Sequence, residues 1–138
     1  MANDFEVGVD VAVPPGTAWE LVGDPGRVGE WFGPVAELTM DGDVRRVTMK
    51  HGAQLVERIT ERDDAARSYF YTVQEGIPGL TSHLATMRVE EVPGGSRIVW
   101  RQNATHEDPE YDIEARLAGV MGKGLASLKE RLEGENPS

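Results

Sequence analysis

About seventy residues of short alternating apolar and polar runs, from 35 to 104, are followed by one long helix-like segment over 110–133. This order constrains the fold more than any other feature. A lone helix after consecutive antiparallel strands has to lie across the face they curve around, and the space between becomes core or ligand cavity. At 138 residues the chain is expected to form a single domain, with an ordered core over about 5–133. Residues 1–4 and 134–138 carry little that packs and are expected to fray.

The first nine-residue alternation, 5–13, has the period of a half-buried strand. Pro14 and Pro15 stop it. Thr17 is placed to cap a short helix over 17–22, and a second short helical piece is predicted over 27–32, stopped by Gly33 and Pro34. Pieces this short need tertiary anchors, and Trp19 and Trp31 are the candidates. Turn signals then recur at Asp41-Gly42-Asp43, His51-Gly52, Asp63-Asp64, 76–79 and Pro93-Gly94-Gly95. They divide the middle into strands at 35–40, 44–50, 54–61, 67–75, 82–92 and 96–105, joined as a meander.

In the last segment Ile113, Leu117, Val120, Met121, Leu125, Leu128 and Leu132 fall at spacings of three and four, an amphipathic stripe. Gly119, Gly122 and Gly124 interrupt it, each costing roughly 1 kcal/mol relative to Ala in a helix interior. Either they hug another element, or they leave room at a cavity mouth.

Charge and composition exclude several classes. With 24 acidic against 14 basic residues the net charge is −10, which repels phosphate backbones and anionic headgroups, so no nucleic-acid partner is expected. The absence of Cys removes disulfides, thiolate nucleophiles and thiolate metal sites. There is no apolar run near twenty residues and no basic n-region signal, so neither membrane insertion nor export is expected, and a cytoplasmic location is the default. His51, His83 and His106 lie on separate segments with no metal-binding spacing, and Ser68, Ser82, Ser96 and Ser127 lack a G-x-S-x-G setting. No metal and no cofactor are expected.

The chain resembles the START and birch-pollen-allergen-like superfamily, and within it the polyketide cyclase/dehydrase and lipid-transport family. The resemblance rests on Val13-Pro14-Pro15 with Ala18-Trp19 and Asp24-Pro25, on Trp31-Phe32-Gly33-Pro34-Val35, on Val56-Glu57-Arg58-Ile59, on Tyr69-Phe70-Tyr71-Thr72-Val73, on Val99-Trp100, and on residues 124–129. It implies an α+β helix-grip fold: a curved antiparallel sheet of about seven strands, two short helices after the first, and a long C-terminal helix across a deep, mostly apolar cavity.

The resemblance also fixes one point of register. If Glu57 faces inward, as the corresponding position does in the plant hormone receptors of the superfamily, then Leu55 and Ile59 face inward with it. The same alternation selects Tyr69, Tyr71 and Val73, then His83, Ala85, Met87 and Val89, then Ile98, Trp100 and Gln102. The helix adds Leu117, Met121, Leu125 and Leu128. Alternatively Glu57 lies on the outer face, paired with Arg58 or a cross-strand Arg. His83 at a strand start is satisfied by backbone or solvent, or else works as an acid or base.

Two functions follow from different classes. One is binding or transport of a hydrophobic or amphipathic small molecule, lipid or polyketide-like, with Glu57, His83 and Gln102 orienting a polar end. The other is a cyclase or dehydratase-like enzyme, with Glu57 and either His83 or Tyr71 moving protons. The first is preferred because only one inward carboxylate is proposed. A protein-interaction or regulatory module is a third possibility, and the chain is expected to be a monomer or weak homodimer. Loop 76–80 does not reproduce a receptor gate, so ligand-triggered partner binding is not carried over.

Overall fold

The computed structural model describes residues 4–134. Strand β1 (Phe5–Val11) leads into helix α1 (Pro15–Val22) and a 3₁₀ helix, Pro25–Glu30. Six strands follow: β2 (Val35–Asp41), β3 (Val44–Met49), β4 (Gln54–Asp63), β5 (Ser68–Glu75), β6 (Leu80–Val92) and β7 (Gly95–His106). Helix α2 (Ile113–Gly134) is the last element described. All seven strands form one antiparallel sheet in the order β1-β7-β6-β5-β4-β3-β2. The meander is therefore consecutive, with β1 returning to pair with β7.

Local chemistry moves several boundaries. Helix α1 starts at Pro15, whose missing N–H costs nothing in a first turn, so Thr17 lies inside the helix and is not its cap. Asp24 accepts from the Gly26 N–H at 2.9 Å and starts the 3₁₀ helix, which ends at Glu30, before Trp31 and Phe32. Asp112 accepts from Ala115 N–H at 2.9 Å, and this cap sets the start of α2 at Ile113 rather than 110. Of the ends expected to fray, residues 1–3 and 135–138 lie outside the described residues. Asp4, by contrast, accepts from both Arg101 and Asn103, and Gly134 closes α2.

The concave face carries the core. Alternate residues of β5, β6 and β7 point into it, and α2 packs on β1 and β7 while α1 packs on β6. Trp19 and Trp31 are both buried, Trp19 donating to Asp64 Oδ1 at 2.9 Å. Bulges in β4 at 56/57 and 59/61 alter the alternation along that strand. After the second one Arg62 lies opposite Tyr69 and its guanidinium stands 5.8 Å from the Trp19 ring. Among the described residues no helix is long and apolar enough to cross a membrane.

Candidate functional site

Glu57 points inward, and it does so with a partner. Strand β3 sets Arg45 directly opposite it, and Arg45 Nε donates to Glu57 Oε1 at 2.8 Å with both side chains buried. The two alternatives for Glu57 thus each hold in part: it is inward, and it pairs with a cross-strand Arg. Arg45 Nη1 donates to Pro25 O at 3.0 Å and reaches the Tyr69 hydroxyl at 3.5 Å, while the guanidinium lies 4.9 Å over the Tyr71 ring. Burial works against the Arg45 charge, but Tyr69, Glu57 and Tyr71 around it more than offset that and raise its pKa. Burial, and then the Glu57 charge, push the Tyr71 hydroxyl well above its ordinary value, and burial raises Tyr69. Both phenols are therefore proton donors at neutral pH.

These groups border a small internal cavity of about 50 Å³. Leu55, Glu57, Tyr69, Tyr71, Met87 and Trp100 line it from the inward set, joined by Arg45, Val47, Met49 and the Trp31-Phe32-Val35 corner. Trp100 Nε1 donates to the Tyr71 hydroxyl at 2.9 Å. Trp31 stands edge-on to Phe32 and Trp100, its Nε1–H buried without an acceptor among the described residues.

The rest of the inward set packs elsewhere. Ala85, Val89, Ile98, Met121, Leu125 and Leu128 are buried in the core, and none of them lines the cavity. Ile59 and Val73 are half-buried against that core. The deep cavity expected between the sheet and α2 does not extend beneath Met121, Leu125 and Leu128: there the helix packs against the core. Gly124 lets it do so, since a Cβ there would come within 2.9 Å of the Phe32 ring.

His83 and Gln102 pair with each other, and His83 is tied to the backbone as well. The Val73 N–H donates to His83 Nδ1 at 3.0 Å, so Nε2 carries the proton and donates to Gln102 Oε1 at 2.6 Å. Burial lowers the His83 pKa, with the Gln102 contact opposing. Backbone pairing of β5 with β6 stops at Tyr71↔Ala85, and the imidazole takes over the amide that the ladder leaves unpaired. Both ring nitrogens are hydrogen-bonded, and His83 lines neither the inner cavity nor the space beside loop 76–79.

A larger space opens at the other end of α2. A cleft of about 580 Å³ lies between the 49–55 hairpin, loop 76–79 and the first turns of the helix. Leu117 is the one inward-set helix residue that lines it, together with Ile113 and the exposed Val120 and Tyr111. Val120, expected within the buried stripe, is 41% exposed and faces the cleft, although its neighbour Met121 is fully buried. The loop is fixed at both ends by glycines with positive φ. A Cβ at Gly76 would lie 2.1 Å from Gln54 O, and one at Gly79 would lie 2.3 Å from His106 Nε2. His106 accepts from Asp108 N–H on Nδ1, donates from Nε2 to Pro78 O at 3.0 Å, and stacks on Tyr111 with ring centroids 4.3 Å apart. Met49 and Leu55 belong to both cleft and cavity and form the partition between them.

Arg45 is the residue sequence reasoning missed. Arg45-Arg46 in a strand looks like a solvated pair. The signal was the hairpin register, which places residue 45 opposite 57 once the turn is set between Met49 and Gln54. Among the described residues no cluster of three or more His, Asp or Glu side chains could hold a metal ion.

Comparison with known proteins agrees with this architecture. The family model described as polyketide cyclase / dehydrase and lipid transport matches residues 3–133. No curated protein matches. Among solved structures, an uncharacterized protein of Bacillus thuringiensis superposes with a TM-score of 0.87 at 21% identity, over 94% of this chain and 98% of that one. A Thermobifida fusca protein solved by NMR has a TM-score of 0.77 at 29% identity, over 94% and 92%. Ara h 8.0201, a birch-pollen-allergen-like protein, has a TM-score of 0.77 at 17% identity, over 96% and 98%, which shows the helix-grip fold. The chain belongs to the polyketide cyclase/dehydrase and lipid-transport family.

Proposed function

We propose that this family member binds a hydrophobic small molecule whose body lies in the cleft beside Leu117 and Val120, without chemical change to it. The observation that carries the reading is the size and lining of that cleft. At about 580 Å³ it falls within the range of small-molecule sites, and Met49, Leu55, Ile77, Ile113, Leu117 and Val120 give it apolar walls. The inner cavity, at about 50 Å³, is too small for anything but a terminal group. A ligand hiding about 200 Å² of apolar surface in the cleft would gain ~5 kcal/mol. That corresponds to sub-millimolar binding, so polar groups must add orientation and selectivity.

The test is titration with Nile red, a neutral dye, followed by fluorescence. Wild-type protein is expected to bind it. Leu117→Trp, which fills the cleft from a half-buried position, is expected to weaken binding about tenfold or more while the melting temperature stays within a few degrees. Unchanged binding by that variant overturns the cleft as the site.

One observation favours a second reading, a cyclase-like activity: Glu57 and Tyr71 line the same cavity. In that case they, and not His83, would move the proton. Glu57→Gln would then abolish turnover of a polyketide-like substrate while leaving its binding intact. The binding reading is preferred because Arg45 already holds one Glu57 oxygen.

A further inference from the structure

We infer that the cavity behind the cleft is a selectivity pocket for a neutral oxygen, a hydroxyl or ketone carbonyl at one end of an apolar ligand, and that it rejects carboxylates. The inference rests on the cleft reading above, because the ligand's body has to lie where Met49 and Leu55 part the two spaces. Met49 is an unbranched side chain with several low-energy rotamers, suited to a partition that a ligand end must pass.

The unpaired atoms define the chemistry. Arg45 uses Nε and Nη1 on Glu57, Pro25 and Tyr69, and its Nη2 has no hydrogen bond among the described residues. Glu57 uses Oε1 on Arg45, and Oε2 has none. The Tyr71 hydroxyl accepts from Trp100, and its own proton has no acceptor. The cavity wall therefore offers N–H and O–H donors together with one carboxylate acceptor. A hydroxyl satisfies both kinds, and a ketone satisfies the donors. Volume agrees: one water needs about 10–15 Å³ of such space, so about 50 Å³ suits a terminal group of a few heavy atoms.

Charge decides between oxygen types. Among the described residues, Arg45 and Glu57 are the only charged side chains lining the cavity, and they are already matched. A ligand carboxylate would bring a second negative charge beside Glu57 into a buried place with no cation left to meet it, the expensive case for a buried ion. A neutral head carries no such cost.

The test is displacement of bound Nile red by 1-decanol, 2-decanone and decanoate at neutral pH, on the full chain. The alcohol and the ketone are expected to displace the dye about tenfold more effectively than decanoate. In Glu57→Gln the Arg45 charge is left unmatched, and decanoate is expected to gain about tenfold, erasing the preference. Equal potency of decanoate on the wild type, or an unchanged ratio in the variant, overturns the pocket. If the stranded guanidinium prevents folding, Arg45→Met combined with Glu57→Leu removes both charges together. There the alcohol and ketone are expected to weaken about tenfold, and undiminished binding again overturns the inference. If the wild type binds neither dye nor any of the three compounds, the cleft reading falls with the pocket. If it binds all without discrimination, only the pocket falls.

Discussion

Helix α2 meets the rest of the molecule in two ways along its length. In its C-terminal part Met121, Leu125, Leu128 and Leu132 are all buried. Polar ties brace that end: Lys129 donates to Asp10 O and to Glu133, Glu133 accepts from Ala12 N–H, and Arg131 pairs with Glu30. In its N-terminal part Leu117 is half-buried and Val120 exposed, both facing the cleft. The same helix is thus a clamp at one end and a wall at the other. Which part of the stripe borders open space depends on how each turn packs, and the apolar stripe alone does not report that.

The largest expected effect separates the two ends by stability. Leu128→Ala removes a fully buried side chain at the clamp and is expected to cost about 2–5 kcal/mol in denaturant unfolding. Leu117→Ala, at the wall, is expected to cost no more than about 1 kcal/mol. Dye binding should rank the two the other way, weakened by the second and kept by the first while it remains folded. Equal costs would mean that the cleft closes in solution.

The three glycines in the interior of α2 sharpen the same contrast. A Cβ at Gly124 would press on the Phe32 and Trp100 rings at 2.9 and 3.3 Å, and overpacking of that kind costs about 1–3 kcal/mol, more than the helix propensity gained. Gly119 and Gly122 have open space where a Cβ would stand. Their Ala variants are expected to stabilise the protein by about 0.5–1 kcal/mol in thermal unfolding. Stabilisation by Gly124→Ala would show that the helix does not approach Phe32 as closely as the structure has it.

These glycines also show where the sequence stopped being legible. In the sequence all three look alike, because spacing gives a helix face but not its distance from a neighbour. The meander was readable, since a period of two and regular turns carry it directly, whereas the inward set needed the family resemblance to supply Glu57 as its fixed point. Arg45 was not, because a buried ion pair is a property of register between two strands. Nor was the tie between His83 and Val73, which exists only because β5 and β6 part after Tyr71. The inner cavity is small for a related reason: Trp31, Tyr69, Tyr71 and Trp100 crowd its walls, and their packing cannot be read one strand at a time.

His83 gives a local effect away from the clamp. Its pKa is lowered from an ordinary 6.5 by burial, so an opened or unfolded chain takes up the proton first as pH falls. The stability it contributes is complete above about 6.5 and is lost as pH drops through the lowered value, because protonating Nδ1 gives up the Val73 N–H. Hydrogen exchange at the Val73 amide, corrected for the intrinsic rate, should accelerate between pH 7 and 5 while the Tyr71 amide, within the paired segment, stays protected. Parallel behaviour of the two amides would remove the imidazole's role in closing the sheet.

The smallest expected effect lies at the clamp's rim. Hydrogen bonding from Arg27, aided by Arg131 and opposed by slight burial, holds the Glu30 carboxyl at about 2 against an ordinary 4.5. Because the folded value is the lower one, the unfolded chain binds the proton first on acidification. The contribution is whole above about 4.5 and disappears as pH falls through about 2. Solvent screens it, since Glu30 is 39% exposed, and Glu30→Gln is expected to cost less than about 1 kcal/mol at neutral pH. Between those two values the variant's stability curve should be flatter than that of the wild type. Glu30 joins the 3₁₀ helix to Arg131 on α2, far along the helix from Leu117, so dye affinity at neutral pH should not change. A loss of affinity in this variant would show that the two ends of the helix act as one unit, and the division between clamp and wall would then fail.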